Sequence, residues 1–420
     1  MNLFGGVITV NGVAFLLFCV FAIAAVGYLL GRVTIKGVSL GTAGVFIIAL
    51  LFGCLFYTQL QENLTANGMD IGKSLKLVET FGLILFVTSV GFIAGPKFFG
   101  NMKKNFKSYV LLGLIVILAG GVSAIACIYI GRAVGTGGLD NDGFTAMIVG
   151  LLSGSLTSTP AFSAAKDTVA PELENLVSVG HGIAYIFGVI GVVLFVQLMP
   201  KFSKANMDDE RKKLVLVSEG KQKIYNGKLI HIDGFGFAAF SLAAIIGVFV
   251  GAIKIPLTGN GLSGTTFSLT TTGGCLLIAL IFGHFNRIGK ISIMPDEHTL
   301  KVFRELGLML FLIGAGIAGG AKFIELFNLT YFIYGVIMTI FPMIVGYIFA
   351  KYVLKLSLLN NLGSITGGMT STPALGTLIN VAKTEDVAAA YAATYPIALI
   401  AVVLVSKCVE NVSQKYGTIQ

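Results

Sequence analysis

The stretch SGSLTSTPA, Ser153 to Ala161, recurs as TGGMTSTPA, Thr366 to Ala374, 213 positions later. Hydroxyls, glycines and a proline crowd a few residues of an otherwise oily chain. Proline lacks an N–H and fixes φ, so it fits the first turn of a helix, with Ser or Thr capping just before it. Thr159-Pro160 and Thr372-Pro373 have that form, and each copy predicts the start of a short helix. Gly154 and Ser155, like Gly367 and Gly368, loosen the preceding helix and let its backbone come close to another group.

The surroundings say where these turns lie. Of 420 residues, 55% are apolar and 12% charged, with a mean hydropathy of +0.89; a soluble domain carries about 25% charge, so this is a membrane protein. Roughly ten apolar stretches are each long enough to cross the hydrocarbon layer as a helix, and the two motif segments are further, irregular ones. The first stretch, GVAFLLFCVFAIAAVGYLLG, has no basic region before it and no cleavage site after it, so it reads as a mature helix. The net charge of +9 sits in short breaks beside apolar stretches, as topogenic charge does, and does not point to nucleic acid. Cys19, Cys54, Cys127, Cys275 and Cys408 are scattered, without a CxxC pair or neighbouring histidines, so neither disulfides nor a metal site is expected. No Ser/His/Asp or Cys/His grouping, P-loop or HExxH occurs; neither an enzyme nor a cofactor is expected.

The chain repeats itself beyond the motif. GLILFVTSVGFIAGPKFF from Gly82 matches GLMLFLIGAGIAGGAKFI from Gly307, and LGTAGVFIIALLFG from Leu40 matches TTTGGCLLIALIFG from Thr270. AYIFGVIGVVLF from Ala184 matches TYPIALIAVVLV from Thr394. Four matches in one order divide the chain into a membrane repeat at 1–200, a polar linker at 201–230 and a second membrane repeat at 231–420. By the positive-inside rule the basic linker is cytoplasmic. If each motif segment were a full span, Arg32, Lys36, Lys97, Lys103, Lys104 and Lys107 would lie on the far side. If segments 143–168 and 360–383 instead dip in and return, each half crosses five times and every strongly basic break is cytoplasmic. Five is odd, so the second half is inverted, both termini lie outside, and the hairpins face each other from opposite sides. The expected fold is an all-α polytopic membrane protein of two inverted-topology repeats, each of five transmembrane helices and one re-entrant hairpin.

A helix that starts inside the membrane presents free N–H groups and the positive end of its dipole, which together bind anions. Irregular backbone is tolerated at that depth only where it is buried in protein or lines a wet cavity. Two opposed sites suit a small molecule with two carboxylates, and the hydroxyls of Thr157, Ser158, Thr159, Thr370, Ser371 and Thr372 complete its hydrogen bonds. A Ser/Thr-Pro pair also makes a simple kink, but two copies at equivalent places favour a substrate site. Lys97 and Lys322 correspond and read first as interfacial anchors, with attraction of an anion as the alternative. Tyr185 and Tyr395 correspond as well, and Tyr395 joins the substrate-binding candidates because it follows the hairpin. His181 and Asp167 are candidates for coupling or gating.

GLLSGSLTSTPAFSAAKD, GSITGGMTSTPALG, GFIAGPKFF and YAATYPIAL together resemble the aspartate:alanine exchanger family of bacterial inner-membrane transporters, over both membrane halves. The resemblance implies an antiporter of amino acids or dicarboxylates, with an inward linker and outward termini. Related families with opposed hairpins imply a homodimer in which a hairpin-bearing domain moves against a scaffold, the elevator form of alternating access. One departure is plain: many members carry a pair of soluble regulatory domains between the halves, and this linker is too short for them, so gating through such domains is not expected. The expected function is secondary active exchange or export of small anionic metabolites, C4 dicarboxylates or acidic amino acids such as aspartate. A sodium-coupled carboxylate symporter is the alternative of the same class, because unwound turns also offer oxygens to sodium. An anion channel or membrane receptor is the alternative of a different class, disfavoured by the duplicated hairpins and the lack of a charged ring.

Overall fold

The computed structural model describes residues 2–3, 8–35, 38–39, 43–136, 138–166, 169–218, 229–256, 266–326 and 328–417. In chain order the helices are α1 (Gly12–Gly31), α2 (Ala43–Ala66), α3 (Ile71–Val134), α4 (Asn141–Ser155), α5 (Thr159–Lys166), α6 (Glu174–Phe202) and α7 (Met207–Ser218). They continue as α8 (Phe237–Ala252), α9 (Thr270–Phe285), α10 (Glu297–Leu326), α11 (Leu329–Tyr352), α12 (Leu358–Gly368), α13 (Thr372–Ala382) and α14 (Val387–Gly417). Two-residue antiparallel strand pairs, such as Arg287–Ile288 with Ile291–Ser292, occupy some of the connections.

Among the described residues eight helical stretches are long and apolar enough to cross a membrane, and α8 and α9 are shorter apolar helices. The molecule is a polytopic, mainly helical membrane protein. Its spans are apolar all round, as lipid contact requires: α1 buries Leu16, Val20 and Ile23 on one side and exposes Leu17, Phe21 and Leu29 on the other. The basic break expected at residues 97–107 is not a loop. α3 continues through it with Pro96 inside and carries two apolar spans, Ile71–Ile93 and Asn105–Val134. Lysine is a good helix former and its stem follows an apolar surface, so a basic run need not interrupt a helix.

Two compact units form, and they cut across the sequence halves. The first comprises residues 1–86 and 302–326. In it α1 and α2 meet through small residues: a Cβ added to Gly44 would lie 2.6 Å from the carbonyl oxygen of Gly27. The end of α10 packs on α2, where a Cβ on Gly316 would meet Ala49 and one on Gly320 would lie 2.1 Å from Leu50 O. Gly82 of α3 and Gly307 of α10 meet reciprocally, an added Cβ on either lying 2.6 Å from the other's carbonyl oxygen. Without side chains between them the two backbones touch, the close crossing that small residues allow in membranes.

The second unit comprises residues 87–301 and 327–420. There Gly91 and Gly95 of α3 pack on α9, an added Cβ on Gly95 falling 2.7 Å from Leu280 O. The sequence equivalents of these glycines, Gly316 and Gly320, pack on α2, the equivalent of α9. Each half therefore lends a helix to a partner in the other half, which is why the compact units do not follow residues 1–200 and 231–420.

Candidate functional site

Both copies of the opening motif lie in the second unit, and each forms two short helices joined by a turn. α4 starts at Asp140, whose Oδ1 accepts the Gly143 N–H at 2.9 Å, and ends at Ser155. Its continuation fails in a defined way. Thr157 takes a left-handed φ of 50°, its N–H reaching Gly154 O at 2.9 Å and that of Ser158 reaching Ser153 O at 2.9 Å. The second copy repeats this: Thr370 has a φ of 50°, its N–H reaches Gly367 O at 3.1 Å and that of Ser371 reaches Thr366 O at 3.0 Å. These are Schellman ends, in which the left-handed residue is ordinarily glycine. A β-branched residue there is strained, by about 1–3 kcal/mol.

The hydroxyls explain the threonines. Thr157 Oγ1 donates to Met369 O at 3.1 Å, and Thr370 Oγ1 donates to Leu156 O at 2.8 Å. Leu156 and Met369 are the C-cap residues of α4 and α12. Their carbonyls are among those a helix end leaves without an internal partner. Each turn therefore caps the helix of the other, and glycine in either place would remove a bond that joins the two.

Beyond the turn the copies diverge. α5 opens at Thr159 and Pro160, and Ser158 Oγ accepts the Ala161 N–H at 3.3 Å, an N-cap within the motif. α13 opens at Thr372 with Pro373 in its first turn, as the sequence predicts. Its N-cap residue, Ser371, makes no cap bond. The Ser371 side chain is 0% exposed, and its Oγ has no hydrogen-bond partner among the described residues. Thr372 Oγ1 lies 3.4 Å from the hydroxyl of Tyr391, which stacks on Tyr395 at 5.2 Å between ring centroids. The first N–H groups of α13, from Thr372 and Ala374, have no acceptor within their own helix. The first turn of α13 thus carries a buried, unpartnered hydroxyl and a second hydroxyl beside a phenol, next to the positive end of the helix, donor groups of the kind that suit an anion.

The surrounding helices hold these groups close. An added Cβ on Gly154 would lie 2.3 Å from His181 O on α6, and one on Gly367 would lie 2.6 Å from Tyr391 O on α14. Both glycines sit within helices and serve backbone-to-backbone packing. Gly368, the last residue of α12, faces Val116, while Ser155 Oγ donates to Gly335 O on α11 at 3.0 Å. His181 contacts Ser153 Oγ through Nδ1 at 2.8 Å and stacks on Phe162 at 4.4 Å, and Lys166 lies 4.8 Å from the Phe162 ring centre. Tyr395 abuts α9 at Gly273 and meets the hydroxyls of Thr270 and Thr272.

Tyr391 was not singled out by the sequence. Its signal was its place: it stands 210 positions after His181, the same offset that relates Tyr185 to Tyr395. Asp167 lies outside the described residues. Lys97 and Lys322 are placed in α3 and α10, and their side chains, like those of Thr159 and Pro160, lie outside the described set. Among the described residues no three His, Cys, Asp or Glu side chains gather as a metal site.

The second hairpin has a further partner in the linker helix. Glu210 Oε2 of α7 accepts the N–H of Leu358, the first residue of α12, at 2.9 Å. Arg211 Nη1 donates to the carbonyl oxygen of Ala382, the last residue of α13, at 2.9 Å. Neighbouring residues of one helix thus touch both ends of the segment whose middle carries Ser371.

An uncharacterised transporter of Bacteroides thetaiotaomicron is 25% identical, covering 92% of this chain and 96% of that protein. One of Bacteroides fragilis is 26% identical, over 94% and 98%. One of Desulfotalea psychrophila is 22% identical, over 95% and 97%. The profile of the aspartate:alanine exchangers, described as a predicted permease membrane region, matches residues 19–201 and 239–411 and leaves the linker between them unmatched. A match over both membrane halves makes this chain a member of the aspartate:alanine exchanger family.

Proposed function

We propose that the protein is a secondary active transporter, an exchanger or exporter of small anionic metabolites, with C4 dicarboxylates or acidic amino acids such as aspartate as cargo. The observation that carries this reading is the start of α13, where the buried, unpartnered Ser371 hydroxyl joins Thr372, Tyr391 and the free N–H groups. A carboxylate set there receives charge-assisted hydrogen bonds from neutral donors, so it is held and can leave. Transport needs both.

Alternating access is supported by the two-fold character of the contacts. Gly82 meets its own equivalent Gly307, and Thr157 and Thr370 bond reciprocally across the two turns. Because α7 reaches both Leu358 and Ala382, the second motif segment fits a re-entrant hairpin that returns to the side of the linker. The turns are bonded to each other, which favours their moving together, as in an elevator.

The test is thermal stabilisation of the purified protein against a panel of dicarboxylates and amino acids, followed by counterflow in proteoliposomes with and without sodium. A ligand that binds the folded form raises its apparent stability by about 2.7 kcal/mol at a hundredfold excess over Kd. Saturable, trans-stimulated flux of the stabilising anion without sodium is the expected result. Flux only with sodium would replace the exchanger with a symporter, and unsaturable flux would replace both with a channel.

A further inference from the structure

The polar linker does more than join the halves. α12 begins after Ser357, a residue type that ordinarily caps its own helix, yet Ser357 makes no cap bond and its Oγ has no partner among the described residues. The cap comes instead from Glu210, 148 residues earlier in the chain. Glu210 is only 8% exposed, unusual for a carboxylate, and Lys213 Nζ holds its other oxygen at 2.5 Å. It places negative charge at the positive end of α12. Arg211, the next residue, places positive charge on the carbonyl end of α13, where Lys383 turns the chain with a φ of 52°. Its other nitrogen is engaged by Asp208. Two adjacent side chains of opposite sign therefore match the two opposite dipole ends of one hairpin.

We infer that Glu210 and Arg211 are positioning residues for the α13 ligand site: the linker helix fixes the base of the second hairpin, and the hairpin carries that placement to its tip. The inference rests on the functional reading of the tip given above. Helices α12 and α13 are 11 residues each, rods of about 16 Å at the usual rise per residue, long enough to join the linker surface to the turn and too short to deform easily. A shift or tilt at Leu358 and Ala382 moves Thr370, which bonds Leu156, and Ser371, which carries the unpartnered hydroxyl. In this chain a short linker thus holds the transport site directly, through two charged side chains.

Hydrogen–deuterium exchange on the full-length protein in lipid nanodiscs tests this without a ligand. Glu210→Gln weakens the charge-assisted cap and Arg211→Gln removes the guanidinium. Each is expected to speed amide exchange at the tip, residues 366–375, by about tenfold, the effect of losing one hydrogen bond to a charged group. Arg211→Lys, which still offers a charged donor to the Ala382 carbonyl, is expected to restore slow exchange, and α1 and α2 serve as an unaffected control. Faster exchange confined to residues 357–361 and 379–383, with an unchanged tip, would make the contacts a local cap and overturn the inference. Should Glu210→Gln not fold, the Arg211 pair decides alone, since that side chain is 28% exposed. A chain that moves no carboxylate would overturn the functional reading and leave the exchange result to stand by itself.

Discussion

Thr157 and Thr370 hold a backbone conformation that glycine would adopt at less cost, and each spends its hydroxyl on the other turn. Valine at either place keeps the branched strain and loses the bond. The double change Thr157→Val with Thr370→Val should therefore show coupling of about 0.5–3 kcal/mol in a double-mutant cycle of thermal stability, and strict additivity would separate the two turns. The serines that follow are a sharper contrast, because equivalent residues have different tasks. Ser158 caps α5, so Ser158→Ala should cost about 1 kcal/mol of stability with or without ligand. Ser371 has no partner, so Ser371→Ala should leave the ligand-free melting temperature unchanged or slightly higher and abolish most of the shift that a bound carboxylate produces. A ligand shift equal to that of the wild type would remove Ser371 from the site.

Helices decide how closely these residues can be held. α4 lies against α6, and α12 against α14, through glycines whose missing side chains are replaced by the neighbour's backbone. Gly154→Ala sets a methyl 2.3 Å from His181 O, where only backbone could yield. Overpacking of this kind costs about 1–3 kcal/mol. Gly234→Ala, with nothing within 4 Å of the added carbon, should fall within about 0.5 kcal/mol of wild type in the same melting assay. α8 is held by a different device. Asp233 accepts backbone N–H groups of Ala238, Phe237, Gly236 and Phe235, and these bonds, led by that from Ala238, hold its carboxyl below the usual aspartate range. A lowered pKa means a contribution fully present above the unfolded value and lost as pH falls through the folded one. The melting difference between wild type and Asp233→Asn should thus be constant from neutral pH down to the ordinary aspartate range and shrink as the pH falls below that range. A difference independent of pH would assign the stabilisation to shape alone.

At the scale of the molecule, the proposed inversion of the two halves makes a topological demand that labelling can check. In a variant lacking the five cysteines, Lys212→Cys on α7 should react with a membrane-impermeant maleimide from the cytoplasmic side only, and Asn67→Cys between α2 and α3 from the opposite side only. Reaction of both from one side would break the five-crossing arrangement. Much of this plan was legible in the sequence because its causes are local: apolar length makes a span, Thr-Pro starts a helix, and a duplicated order makes two halves. The four short helices around the two motifs came from such signals. The break expected at residues 97–107 failed as a loop because charge alone does not stop a helix. Tyr391 was missed because its counterpart, His181, has different chemistry, and only their shared offset related them. Neither the reciprocal bonds of Thr157 and Thr370 nor the reach of Glu210 to Leu358 could be read along the chain, since the partners are 212, 214 and 148 positions apart. The sequence by itself determined the membrane setting and the turns of the two motifs, since hydropathy, proline and capping act over a few neighbouring residues. Only the tertiary structure decided that the turns cap each other, that Ser371 alone is left without a partner where Ser158 is not, and that the linker helix closes the second hairpin. Those outcomes depend on which helix ends come to lie together, and only packing settles that.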